Sequence, residues 1–392
     1  MAEDGLIKLL RSLVRIPSVN PLLADDPSIG TEKPMAEALA ALLADRGFRI
    51  EWHEVIAGRP NVIGRFGPNT PKRSLLIESH IDTQGVQGMT VPPFEGLVRD
   101  GRLFGRGACD TKGPMAAALW ALSPAMLDRV ASAGVQIVYV GAIGEEKGNV
   151  GAEQLVDLGL GADEALVLEP TELAIVHAHK GTLWYEVDVR GRAAHGSNPE
   201  AGVSAIRGML RAIEEIEREI AAARNCHDDS ALGGPSVNVG VIRGGSSINM
   251  VPDHCVIEVD RRTVPGEDSA RILRDLRERL TRLQESGAII EWRLTPINDG
   301  APFHTGADTS LIRRLATSCA SKGVAPRIMG AAWYSDAGPL SRTCKDIAVF
   351  GPGSIRQAHT ADEYIDIAEL QRGCDILRDF LRRVADEAES YA

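Results

Sequence analysis

Apolar and polar positions along the chain alternate between a helical and a strand rhythm. From Leu6 to Val14 the apolar residues repeat at helical spacing until Pro17 breaks the run, which predicts a first helix. A second is predicted from near Thr31 through Arg46, opened by Thr31-Glu32-Lys33-Pro34 and stopped by Gly47. Short strands are expected around Ile50 to Trp52 and Asn61 to Arg65, and a buried one at the apolar run Leu75-Leu76-Ile77. Met115 to Met126 reads as an Ala-rich helix, Val135 to Ala142 as a strand and Ala165 to Leu168 as another.

Beyond His179-Lys180-Gly181 the pattern changes. Leu183 to Val189 alternates, as a half-buried strand does. A loop, Arg192 to Ser197, precedes a long amphipathic helix from Val203 to Arg224 with Ile206, Leu210, Ile213, Ile216 and Ile220 on one face. Strands near Ser236 to Ile242 and Cys255 to Val259, a helix from Glu267 to about Gln284 and a strand from Ile289 to Leu294 follow. The order strand, helix, strand, strand, helix, strand predicts a separate α/β sandwich inserted into a larger domain. Its charged helices and alternating strands also suit a dimer element. From about Pro296 the chain returns to the first domain, with a helix around Thr309 to Lys322, a strand at Ile347 to Phe350 and a final helix from about Ile367. The expected fold is α/β, a mixed sheet flanked by helices, with residues 1–180 and 296–392 in one domain and 181–295 in the inserted one.

Composition narrows the classes. A chain of 392 residues is too long for one ordinary core, and 44% hydrophobic with 25% charged residues is a soluble globular balance. A net charge of −11 argues against a nucleic-acid surface or an anionic membrane as partner. It does not exclude an acidic substrate, because the field of a bound metal outweighs the global balance. No window approaches the roughly 18 consecutive apolar residues of a spanning helix. The acidic start Met1-Ala2-Glu3-Asp4-Gly5 is not that of a signal peptide. Cys109, Cys226, Cys255, Cys319, Cys344 and Cys374 are scattered without Cys-x-x-Cys pairs, which favours reduced thiols in a cytoplasm.

The candidate chemistry gathers at strand ends. His80 and Asp82 close the Leu75-Leu76-Ile77 strand, where an open α/β sheet places its ligand crevice. An imidazole with a carboxylate two residues later suits a metal ligand and the group that orients it. A lone His-x-Asp is common, and its weight comes from recurrence. The glycine-rich stretch from Asp100 to Pro114 fits neither a phosphate loop nor a dinucleotide fingerprint, and reads as a tight turn aiming Asp110 into the crevice. Glu145-Glu146 follow the strand Val135 to Ala142, and Glu169 follows Ala165 to Leu168. With a third strand ending on a carboxylate, an ordinary solvated loop explains less each time.

With these motifs in place, the chain resembles the dinuclear zinc amidohydrolases that include acetylornithine deacetylase, succinyl-diaminopimelate desuccinylase, aminoacylase and the glutamate carboxypeptidases. The resemblance runs from Ile16-Pro17-Ser18 to His359. It rests on Ser79-His80-Ile81-Asp82, Gly105 through Gly113, Glu145-Glu146, Glu169-Pro170 and Gly351-Pro352-Gly353 through His359-Thr360. It implies a zinc-peptidase catalytic domain and an inserted lid and dimerisation domain. It further implies two divalent ions per chain, zinc with cobalt or manganese able to substitute. Asp110 would bridge both ions, His80 and Glu169 completing one site and Glu146 and His359 the other. Glu145 would be the general base, and Asp82 the group fixing His80. His195 would stabilise the oxyanion, often from the partner subunit, while Asn249, Arg262 and Gly353 would hold substrate.

His53, His177, His179, His227, His254 and His304 fall outside the motifs and read as structural or solvated, and Cys109 as a small packed residue. Two stretches depart from the family pattern: Thr83-Gln84-Gly85-Val86, and Trp333-Tyr334, which could wall a pocket or simply pack. The expected activity is hydrolysis of an N-acyl amino acid, acetylornithine-deacetylase-like, by a cytoplasmic homodimer. A desuccinylase, or a dipeptidase and carboxypeptidase acting on short peptides, shares every catalytic residue. A scaffold with a vestigial metal site, or a nucleotide-binding enzyme, fits less well, since no ligand and no base is missing.

Overall fold

The computed structural model describes residues 4–227 and 229–390; Met1-Ala2-Glu3, on which the signal-peptide reading partly rests, lie outside them. The chain divides into two compact units, one of residues 1–177, 305–329 and 335–392 and one of residues 178–304 and 330–334. The second unit runs past residue 295 because the strand Glu291–Gly300 belongs whole to its sheet.

The first unit is built on a mixed sheet. Its order is Arg49–Ile56, Arg59–Phe66, Val135–Ala142, Arg73–His80, Glu164–Val167, Asp346–Val349 and Ile175–His179, and this strand runs on into the second unit, pairing also with Phe303–His304 and Ile328–Ala331. Arg73–His80 pairs in parallel with Val135–Ala142 on one side and Glu164–Val167 on the other. Asp346–Val349 continues the parallel core, while the outer strands are antiparallel. Val135–Ala142 is buried at every position, which is why its sequence is apolar throughout instead of alternating, apart from Gln136, whose amide donates to the Pro68 carbonyl at 2.8 Å. Helices Gly5–Val14, Lys33–Ala44, Lys112–Ala121 and Ile367–Ser390 share one core with the sheet, through Leu10, Leu39, Leu119 and Phe380.

Several expectations need correction. The helix predicted from Met115 to Met126 is two helices, Lys112–Ala121 and Pro124–Ser132. Pro124 has no N–H for the preceding turn, and Ser123 starts the second helix by accepting from the Met126 N–H at 3.4 Å. The strand expected at Ala165 to Leu168 is Glu164–Val167, which places Glu169 two residues beyond its end. A small sheet of Leu97–Arg99, Arg102–Phe104 and Tyr364–Asp366 was not predicted, because three-residue strands carry no readable period.

The second unit has the strand and helix order read from the sequence. Its four-stranded antiparallel sheet runs Ser236–Gly244, His254–Thr263, Gly181–Arg190, Glu291–Gly300. Leu183, Tyr185, Val187 and Val189 alternate onto one face, where Ala212, Ile216, Leu276 and Leu280 of helices Ala205–Cys226 and Ser269–Glu285 meet them. The first helix buries Ala205, Met209, Ala212, Ile216 and Ile220, so the expected apolar stripe is rotated: Ile206 and Leu210 stay 37% and 54% exposed. Arg261 is fully buried and ion-paired to Glu219 at 2.9 Å and Glu267 at 2.8 Å. Among the described residues no helix is long and apolar enough to cross a membrane.

Candidate metal centre

His80 is the last residue of its strand, so the parallel register delivers its ring to the carboxyl end of the sheet. Its Nε2 lies 3.0 Å from Asp110 Oδ1 and 3.8 Å from Glu169 Oε1. The His359 Nε2 lies 2.9 Å from Glu146 Oε2 and 3.3 Å from Asp110 Oδ2. Among the described residues two groups therefore offer metal-ligand atoms within 4.8 Å of one another, His80-Asp110-Glu169 and Asp110-Glu146-His359. Asp110 turns one oxygen to each.

Asp82 serves more than the histidine. The His80 Nδ1 is 3.0 Å from the Asp82 main-chain carbonyl and 3.6 Å from its carboxylate. The carboxylate accepts the N–H groups of Glu145 and Glu146, both at 3.1 Å, and the Asn20 amide at 2.9 Å. It thus fixes the turn that presents both glutamates, a turn entered through Gly144 at φ +78°. Asn20 was missed as a site residue; the Pro17-Ser18-Val19-Asn20 segment carried the only signal. Gln84, in the stretch that departs from the family pattern, reaches Glu146 Oε2 at 3.5 Å.

Glu363 was also missed. Its fully buried carboxylate accepts from Arg106 Nη1 at 2.7 Å and from the N–H groups of Cys109 at 2.9 Å, Asp110 at 3.1 Å and Gly107 at 3.2 Å. The loop it gathers has Gly107 at φ +80°, where a side chain would meet Thr83 at 2.8 Å. Lys112 begins the next helix fully buried, its Nζ donating to the Ile16 carbonyl at 2.7 Å, and burial lowers its pKa to about 7.

Asp82, Asp110, Glu145, Glu146 and Glu169 bring five carboxyl groups against two imidazoles. Burial, then the neighbouring Glu169, raises the Glu145 pKa well above the usual range. Burial and Asp110 raise Glu146 to about 7 and lift Glu169 as well. Hydrogen bonding to Asp110 and Glu146 raises His359 to about 10. Burial opposes charge on His80, yet its bonds to Asp110 and Asp82 hold its pKa well above the ordinary value. Glu146 Oε1 is buried without a hydrogen-bond partner. Uncompensated buried charge is costly, and two divalent cations would balance four of the five negative charges. The donor set, imidazole and carboxylate in two triplets sharing one member, fits two metal ions.

The remaining predicted residues lie elsewhere. Gly353 stands in the first unit at φ +98°, its N–H donating to Glu369 at 3.1 Å; an added side chain would meet Cys109 Sγ at 2.8 Å. His195 and Asn249 come together in the second unit, where the Gly196 N–H donates to the Asn249 carbonyl at 2.7 Å. His195 is exposed, its Nδ1 2.7 Å from Ser197 Oγ. Arg262 is partly exposed and paired with Asp260 at 3.0 Å. Trp333 and Tyr334 are half-buried within the same unit, Tyr334 standing 5.2 Å from the His179 ring.

The family profile described as Peptidase family M20/M25/M40 matches residues 76–383. The chain belongs to this family. It is 32% identical to an acetylornithine deacetylase of Myxococcus xanthus over 89% of this chain and 91% of that one. Its fold is similar to that of aminopeptidase PepT from Bacillus cereus, with a TM-score of 0.79 at 22% identity, covering 97% and 98% of the two chains. It is likewise similar to the YXEP protein of Bacillus subtilis, described as a dinuclear metal-binding peptidase of family M20, at TM-score 0.71 and 14% identity, covering 97% and 98%. As an M20 member the protein is a metal-dependent amide hydrolase.

Proposed function

We propose that the protein hydrolyses the amide bond of an N-acyl amino acid, in the manner of the acetylornithine deacetylases it is similar to, with two zinc ions per chain. The observation that carries this reading is the pair of ligand triplets sharing Asp110, with Glu145 one residue from a ligand. Asp110, His80 and Glu169 would hold one ion, and Asp110, Glu146 and His359 the other. When bound, the ions supply Lewis acidity, lowering the pKa of a water and polarising the scissile carbonyl. Glu145 takes the proton of the attacking water and hands it to the leaving amine. The Asp82 carboxylate holds the main chain of Glu145 and its carbonyl holds the His80 ring, so base and ligand keep a fixed spacing.

In this reading the second unit is a lid and dimerisation domain. His195 donates to the developing oxyanion, and Asn249 and Arg262, with Gly353 of the first unit, hold the substrate. A homodimer through the second unit is supported by the edge strand Ser236–Gly244, with Ile242 55% exposed, and by the exposed Ile206 and Leu210. All six cysteines are free thiols, which suits a cytoplasmic enzyme. The test is a panel of N-acetyl amino acids, N-succinyl amino acids and dipeptides offered to the zinc-loaded protein. Preference for an N-acetyl amino acid such as acetylornithine is expected; exclusive turnover of dipeptides or N-succinyl compounds would replace the proposed substrate class.

A further inference from the structure

Glu363 lies four residues beyond His359, on the segment that carries one end of the metal centre. Its carboxylate grips the segment that carries the other. Both oxygens are used: Oε1 accepts the N–H groups of Cys109 and Asp110, and Oε2 accepts from Gly107 and the Arg106 guanidinium. The same two segments are strapped again by main chain, the Gly105 N–H donating to the Glu363 carbonyl at 3.0 Å and Tyr364 pairing with Phe104. A side chain with four donors and no exposure is more than a packing residue, since its loss would leave three main-chain N–H groups and a guanidinium buried without an acceptor.

We propose that Glu363 is a positioning residue for both metal sites at once, holding the main chain of Asp110 so that its two oxygens face the two ligand groups before any ion arrives. This rests on the two-metal reading above. A ligand such as Glu169 touches one group only, and its loss should weaken one site. Loss of Glu363 releases the shared ligand and, through its own segment, His359, so both sites should weaken together. Partners of metal ligands are worth roughly 10–100-fold in metal affinity.

The experiment is titration of metal-free protein with zinc against a competing chelating indicator, together with the visible spectrum of the cobalt-substituted protein. Wild type should take two equivalents. Glu363→Gln keeps the shape but turns an amide N–H₂ toward donors, and should lose roughly 10–100-fold at both sites with an altered cobalt spectrum. Glu363→Asp, which keeps the charge, should recover part of the affinity, and Glu169→Gln should lose one equivalent only. A folded Glu363→Gln with wild-type affinities and spectrum would overturn the proposal. A wild type that binds fewer than two ions would instead overturn the two-metal reading, and the proposal with it. Amide exchange on the metal-free wild type decides the matter should the variants fail to fold. The N–H groups of Gly107, Cys109 and Asp110 should exchange as slowly as those of the strand Val135–Ala142, and fast exchange there would refute the preset loop.

Discussion

Glu145 and Glu146 are neighbours in sequence with different surroundings. Glu146 lies 2.9 Å from the His359 ring, whereas Glu145 is perturbed first by burial and then by Glu169. Glu145→Gln should keep both ions and lose turnover by roughly 10²–10⁴-fold, the scale of a general base. Glu146→Gln should lose one ion. Metal content measured beside kcat separates the two, and equal metal loss with residual turnover in Glu145→Gln would reverse the assignment. The metal-free site also sets a pH dependence. His359, raised to about 10, carries a proton at neutral pH, and Glu146, raised to about 7, is partly protonated there. Ligands must be deprotonated to bind, so metal uptake releases protons and apparent affinity rises with pH, more steeply below pH 7 than above it. Calorimetry in buffers of different ionisation enthalpy should count more protons released at pH 6 than at pH 8.

At the scale of elements, His80, Glu146 and Glu169 were legible because each closes or follows a buried apolar strand, whereas Asp110 was marked by its glycine-rich turn and His359 only by the family resemblance. The long helices and the strand and helix order of the second unit were legible through sustained periodicity. What escaped was of another kind. Glu363 and Asn20 are single polar residues with no period around them, and only tertiary burial makes them matter. The rotated face of helix Ala205–Cys226 escaped because Ala205, Gly208, Met209 and Ala212 lie beneath its first half while the larger Ile206 and Leu210 look outward. Arg262 drew attention by resemblance, yet the buried arginine is its neighbour Arg261, by the strand's alternation. Arg261→Ala would leave Glu219 and Glu267 without their shared cation and should cost about 3–5 kcal/mol of stability in the second unit. Urea unfolding should show this loss with metal content unchanged.

For the molecule as a whole, every proposed ligand lies in the first unit and His195 in the second. His195→Ala should keep both ions and lose on the order of 10²–10³ in rate, as removal of an oxyanion donor does. If it acts across the proposed dimer, mixing inactive His195→Ala with inactive Glu145→Gln should restore part of the activity once subunits exchange. No restoration under demonstrated exchange would place the histidine in its own chain's site or outside catalysis. The way the metal centre is threaded has a consequence for synthesis. Arg106 and Glu363, which meet at 2.7 Å, are 257 residues apart in the chain. A ribosome therefore releases His80, Asp110, Glu145, Glu146 and Glu169 long before His359 and Glu363 emerge. The unfinished polypeptide holds every member of the His80-Asp110-Glu169 set but cannot close the Asp110-Glu146-His359 set, so an amide hydrolase made in this order cannot complete its second ligand group until the segment bearing His359 is in place.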